Sequence, residues 1–260
     1  MFRPATDAEK RRFDEACAQV MFEGVSADGG VGTLSEKTLH AVLKRFYEPD
    51  ASCREIPVGR FVADICRDKR IVEVQTRSFY VLRDKLAFFL SEGYDVTVVH
   101  PVPAVRTVSY VEPDGTVGMK RVVTRKGDAG AAFAELYRIK SLLPDPHLHV
   151  RLAMLDVSDY RLRGGKSRRG SDKLDRVPNA LVGQVFLQDA ADYASLLDAA
   201  ELPAEPFTAA ALAAALHVPK KHASTAAPVF CAVGVLEKVG KTGRAFLYAR
   251  TKSEEIVENS

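Results

Sequence analysis

Two acids and an amide stand inside apolar runs of this chain: Asp64 within RFVADIC, and Glu73 and Gln75 within RIVEVQ. Glu73 and Gln75 are two positions apart, so a strand carries both on one face. The basic turn RDKR separates the two runs. If the segments pair across it, the two carboxylates meet at one place in a sheet. Hard oxygen ligands placed together suit Mg²⁺ or Mn²⁺. An ion so held activates water and neutralises charge on a phosphodiester. Gln75 could orient that water, although an amide is no base at neutral pH. A plainer arrangement uses the same residues as structural ion pairs, Asp64 with Arg60 or Arg70 and Glu73 with Lys69.

The elements that must position these residues are readable around them. Upstream, TLSEKTLHAVLKRFY has an apolar helical stripe of Leu39, Val42, Leu43 and Phe46. Glu36, His40 and Lys44 form a second, polar stripe at i, i+4 and i+8. That stripe could add a ligand (Glu36), a proton carrier (His40) and a cation for phosphate (Lys44). REIPVGRFVADICRDKRIVEVQTR reads as short strands turning at Pro57-Val58-Gly59 and around Asp68-Lys69. Ser78 is placed to cap the helix FYVLRDKLAFFLSEG, which Gly93 ends. YDVTVVHPV is a continuous β-branched run, as expected of a strand buried on both faces. A hairpin across Asp114-Gly115, a helix over AGAAFAELYRIKSLL and a buried strand in HLHVRLAMLDV follow. Strands and helices in this order predict an α/β domain with a mixed sheet, over residues 33–185, after an N-terminal helix and loop over 1–32. Thr6 and Glu9 fit a capping box at that helix.

The last seventy or so residues differ in composition. ADYASLLDAAEL, FTAAALAAAL and ASTAAPVFCAVGVL read as three short helices, and EKVGKTGRAFLYART as a basic hairpin around Gly240 to Gly243. This order resembles a winged helix-turn-helix domain over 190–252. By that likeness Lys220, Lys221 and His222 lie at the start of the third helix, where base-reading side chains project, and Lys241 and Arg244 lie in the wing. Pro228 falls within that third helix and removes one of its hydrogen bonds. Docking to a protein partner is the other use of such a module. Between the two parts, RLRGGKSRRGSDKLDR predicts a flexible cationic loop whose Lys166, Arg168 and Arg169 could follow a phosphate backbone.

Composition narrows the class. The 260 residues carry a net charge of only +3, with 27% charged and 47% hydrophobic residues. Neither disorder nor a membrane protein fits that balance, and no window has the roughly 18 apolar residues of a spanning helix. The N-terminus lacks a signal-peptide core, so a cytoplasmic location is expected. Cys17, Cys53, Cys66 and Cys231 are scattered, without zinc-site or disulfide spacing. GGVG at 29–32 lacks the Lys-Ser/Thr of a P-loop, and His147 and His149 alternate across a strand rather than forming a metal pair.

Acid in one strand, E-x-Q in the next and an amphipathic helix directly after resemble the PD-(D/E)XK nuclease superfamily, and within it the CoiA-like nucleases whose last motif reads E-x-Q. The matching residues are His40, Lys44, Glu55, Asp64, Glu73-Val74-Gln75 and Ser78, with Glu36 a looser match. The resemblance implies a restriction-endonuclease-like domain with Asp64 and Glu73 as Mg²⁺ or Mn²⁺ ligands. It also implies a metal-facing Val74 carbonyl and Gln75 in place of the usual lysine. It covers about residues 33 to 100. Ala63 stands where the family's proline would be, and the N-terminal cysteines and histidines of some CoiA relatives are missing.

Two functions follow as expectations. One is a metal-dependent nuclease cutting nucleic acid, DNA in the first instance, with help from the winged helix. The other is a non-catalytic DNA-binding regulator or adaptor built on a degenerate nuclease-like domain.

Overall fold

The computed structural model describes residues 2–27, 37–76, 78–123, 129–164, 171–198 and 200–251. A short strand β1 (Phe2–Pro4) leads into helix α1 (Asp7–Ala27). The expected capping box is present: Thr6 N–H donates to Glu9 Oε2 at 2.9 Å and Glu9 N–H to Thr6 Oγ1 at 3.2 Å. Helix α2 (Lys37–Tyr47) buries the predicted stripe, with Leu39, Val42, Leu43 and Phe46 at most 2% exposed.

Strands β2 (Arg54–Val58), β3 (Phe61–Arg67) and β4 (Arg70–Val74) then form an antiparallel meander. Its turns lie at Gly59 and Asp68, both with positive φ. A side chain at Gly59 would also strike the Phe88 ring, so this turn needs glycine twice over. A 3₁₀ turn over Phe79–Leu82 runs into α3 (Arg83–Ser91). The chain returns as β5 (Asp95–Val111), parallel to β4. Ser78 takes the cap position of the 3₁₀ turn, but its hydroxyl makes no capping bond.

Next, β6 (Val117–Val123) folds back on the distal half of β5 through the predicted Asp114-Gly115 turn. The expected helix over 129–143 is instead a chain of tight turns around α4 (Phe133–Leu136). Its buried Phe133, Leu136 and Ile139 recur every three residues, the 3₁₀ rather than the α period. Strand β7 (Leu148–Arg163) lies parallel to β5, and β8 (Ser171–Leu187) pairs antiparallel with β7 and receives β1 on its other edge. Gly183 permits that edge contact, because a Cβ there would meet the Arg3 carbonyl at 2.5 Å. The eight-stranded mixed sheet has the order β1-β8-β7-β5-β4-β3-β2, with β6 beside β5.

The basic run at 161–176 is therefore not one loop. Arg161 to Arg163 end β7, and residues 171–176 begin β8. Arg176 bonds the fully buried Asp159 at 2.6 Å, and Arg163 pairs with Glu112. Lys166, Arg168 and Arg169 lie outside the described residues, as do GGVG and Glu36.

The sheet separates two apolar layers. On one face, α1 and α2 cover Val74, Val99, Ala153 and Leu155. On the other, α3 and α4 cover Ile71, Val98, Leu152 and Met154. That second layer continues into the C-terminal part: α5 (Ala190–Asp198), β9 (Phe207–Thr208), α6 (Ala209–Ala215), α7 (Lys220–Ala232), β10 (Leu236–Thr242) and β11 (Ala245–Arg250). Its strands form a separate small sheet in the order β10-β11-β9. Phe230 of α7 packs on Phe133, with ring centroids 5.0 Å apart. Helix α7 runs through Pro228 rather than ending there. All four cysteines are free, and among the described residues no helix is long and apolar enough to cross a membrane.

Candidate functional site

Strands β3 and β4 pair as far as Ile65 with Val72. The next cross-strand positions are Asp64 and Glu73, and here side chains replace the backbone ladder. Asp64 N–H donates to Glu73 Oε1 at 3.2 Å, and Val74 N–H donates to Asp64 Oδ2 at 2.8 Å. Each carboxylate thus crosses the seam and satisfies a backbone donor on, or next to, the other acid's strand. On a strand the N–H and C=O of one residue point to the same side, so the Val74 carbonyl faces the seam as well.

The seam is served from both layers. From α2, His40 Nε2 lies 3.2 Å from Asp64 Oδ2. From α3, Lys85 Nζ donates to Glu73 Oε2 at 2.6 Å, under the Phe89 ring at 5.7 Å. Neither arginine, nor Lys69, takes the role that the simple ion-pair arrangement gave it. Lys69 donates to the Glu92 carbonyl, and Arg67 holds Glu48. Lys85 is the one member of the site that the motif did not indicate. Its signal was a lysine among the helix's core-facing positions Leu82, Leu86 and Phe89.

The other expected residues are placed as follows. Gln75 follows the end of β4; its Nε2 donates to the Ser78 carbonyl at 3.1 Å, and its own carbonyl meets His100 Nδ1 at 2.7 Å. Glu55 stands opposite Asp64 in the β2–β3 register but has φ of 55°, and its carboxylate turns outward to pair with Lys44. Lys44 and Glu55 therefore flank the seam without reaching its carboxylate pair. Positive φ at a glutamate is costly and marks this edge as a strained position.

Electrostatically the two acids diverge. Glu73 is 2% exposed, and burial together with the Asp64 charge pushes its carboxyl up to about 7 despite Lys85. For Asp64, burial pulls upward, but the His40 hydrogen bond and charge, the Val74 N–H and Lys85 prevail, so its carboxyl is held below the usual range. Two carboxylates pushed apart in this way can share one proton or one cation.

Among the described residues no three His, Cys, Asp or Glu side chains converge as a preformed metal cage. Magnesium needs no such cage, since one or two carboxylates with waters are its usual protein ligands. Asp64, Glu73 and the Val74 carbonyl are an oxygen set of that kind, and the Lys85 ammonium shows that the seam already balances its charge with a cation.

The remaining basic candidates sit in the C-terminal part. Lys220 and Lys221 occupy the first turn of α7, with Lys241 and Arg244 exposed on the β10–β11 hairpin.

No curated protein and no solved structure matched the chain. A family model described as a domain of unknown function, DUF8091, matches residues 37–188. The match runs from the first residue of α2 to the residue after β8 and so takes in the carboxylate seam, Lys85 and both flanking helices. It spans more than half of the sequence, and on that ground the chain belongs to the DUF8091 family.

Proposed function

We propose that the chain is a metal-dependent nuclease that hydrolyses phosphodiester bonds, with its reaction centre at Asp64 and Glu73. The observation that carries this reading is the reciprocal bridge across the β3–β4 seam. Like charges directly across a pair of strands destabilise a sheet, and a reaction centre is the reason we infer for keeping two acids where neutral side chains would avoid that cost. Asp64, Glu73 and the Val74 carbonyl would hold Mg²⁺ or Mn²⁺. Bound there, the ion supplies an activated water and counter-charge for the phosphate. His40 orients Asp64 and is placed to carry a proton. Lys85 adds positive charge beside the pair, and Gln75, pinned by Ser78, has an amide oxygen without a partner among the described residues, which would orient a water. With Glu73 titrating near 7, protons compete for the same oxygens, so metal affinity should rise through neutral pH. The C-terminal helices and basic hairpin are read as a winged helix that holds the nucleic acid.

The test is cleavage of labelled DNA and RNA, single- and double-stranded, in Mn²⁺ and in EDTA. Asp64→Asn and Glu73→Gln should each lower Mn²⁺-dependent cutting by more than about a hundredfold with an unchanged circular dichroism spectrum. Undiminished cutting by Glu73→Gln would remove the assignment. One observation favours the second reading, a non-catalytic regulator or adaptor: both Glu73 oxygens are already partnered and the side chain is almost wholly buried. That reading expects nucleic-acid binding with no cutting by the wild type in either metal.

A further inference from the structure

A groove of about 560 Å³ lies between α7 and the β10–β11 hairpin, closed on a third side by Tyr137 and Lys140 from the turns after α4. Lys140, Lys220, Lys238 and Arg244 line it, and no carboxylate does. Among the described residues none of these four cations forms an ion pair. Two aromatic rings stand at its rim, Tyr137 at 39% and Phe246 at 41% exposure. Lys140 sits 4.0 Å from the Tyr137 ring centroid and Lys238 4.5 Å from that of Phe246. Unpaired cations beside exposed aromatic planes are what a phosphate chain with unstacked bases requires. An acidic peptide would use the charges but has no need of the rings.

We propose that this groove binds a single strand of nucleic acid, with bases on Tyr137 and Phe246 and phosphates on the four cations. This deepens the nuclease reading by naming an unpaired strand as its substrate, and it rests on that reading only for its purpose. A duplex is disfavoured by the same geometry. The groove-facing positions of α7, Lys220, Ser224 and Pro228, recur every four residues along one helix face. The hairpin and the Tyr137–Lys140 turn flank that face, which leaves a duplex less room there than a free recognition helix gives it. The volume falls within the range of small-ligand sites, room for about one or two nucleotides. Pro228, awkward in a base-reading helix, here lines a wall. The turn that carries Tyr137 is tied to the segment after β4, since Phe79 N–H donates to Glu135 Oε2 at 2.9 Å.

Fluorescence anisotropy of the full chain in EDTA tests this without cleavage, using a labelled oligothymidylate, a mixed-sequence duplex of equal length and a polyglutamate peptide. The single strand should bind at least about tenfold more tightly than the other two. Phe246→Ala and Tyr137→Ala should each weaken it by about tenfold while leaving the salt dependence unchanged. Lys140→Ala with Arg244→Ala should weaken it and flatten the salt slope by about 1.4. Equal or tighter binding of the duplex or of polyglutamate overturns the proposal, as do unchanged affinities in both ring variants with native circular dichroism spectra. Glu73→Gln separates the two ideas. Its binding should be unimpaired, and strand binding by a wild type that never cuts would sink the nuclease while leaving the groove standing.

Discussion

The carboxylate seam and the α7–hairpin groove are opposites in physical design. In the seam, charged groups are buried or half-buried and every one touches another part of the protein: Asp64 meets Val74 N–H and His40, Glu73 meets Asp64 N–H and Lys85. In the groove, the cations have no carboxylate partner among the described residues and the rings are partly open to solvent. A buried set must satisfy itself in order to fold, and it then holds fixed positions for any reacting group. An exposed set costs little to leave unsatisfied and gains by exchanging counterions for a polyanion. The difference teaches where to look for geometry and where to look for affinity.

The largest expected effect comes from the core that the two regions share. Phe230 beneath the groove packs on Phe133, in the apolar layer that also holds Leu86 and Phe89 of the seam's helix. Phe230→Ala should cost about 3–5 kcal/mol, with far-UV circular dichroism and tyrosine fluorescence following a single urea transition. Two separated transitions would break the comparison by showing that the groove and seam stand on independent foundations.

A smaller effect sharpens the claim that the seam carries stored electrostatic cost. The Glu73 carboxyl is raised from 4.5 to about 7, so between those values the folded protein keeps a proton that the unfolded chain has released. Its contribution to stability is full below about 4.5 and is lost as pH rises through 7. Glu73→Gln cannot titrate. From pH 5 to 7.5 the stability difference between variant and wild type should therefore shift by about 2–3 kcal/mol in favour of glutamine. Asp64, shifted the other way, titrates below this window and leaves the slope alone. Parallel urea-stability curves for the two proteins across that range would show that Glu73 is not under strain.

How much of this was legible in the sequence depends on how local each signal was. The capping box, the α2 stripe, the meander turns and the Asp114-Gly115 hairpin all rest on neighbours within a few residues, and all are present. The juxtaposition of Asp64 and Glu73 rests on one turn, whereas His40 reaches Asp64 from the preceding helix and needs α2 to pack on the sheet. Lys85 was missed because a lysine in an amphipathic helix is ordinarily at its edge, and only the packing of α3 on the sheet turns this one inward. Strand β8 was hidden by Pro178 and by a basic run that reads as a loop. Pairing with β7 through shifted registers, with Pro178 opposite Val157, accommodates both. Between residues 129 and 139 the helical pattern was real but its period was three. The groove itself was invisible, because Tyr137 and Lys140 lie far in sequence from the helix and hairpin they adjoin.

The smallest effect tests the other half of the contrast. If the groove cations serve binding alone, removing them should leave folding untouched. Lys238 and Arg244 are exposed and have no carboxylate partner among the described residues, and they line one groove with Lys220 and Lys140, so the attraction gained is that of Lys238 for the exposed Phe246 ring. Lys238→Gln and Arg244→Gln should each change urea stability at pH 7 by no more than about 0.5 kcal/mol. For Arg244→Gln what change there is should be toward higher stability at low salt, where repulsion among the cations is least screened, and should fade as salt is added. A loss of 2 kcal/mol or so would mean that these side chains hold the hairpin against α7. The groove would then resemble the seam, a structural junction rather than a surface kept open for a polyanion.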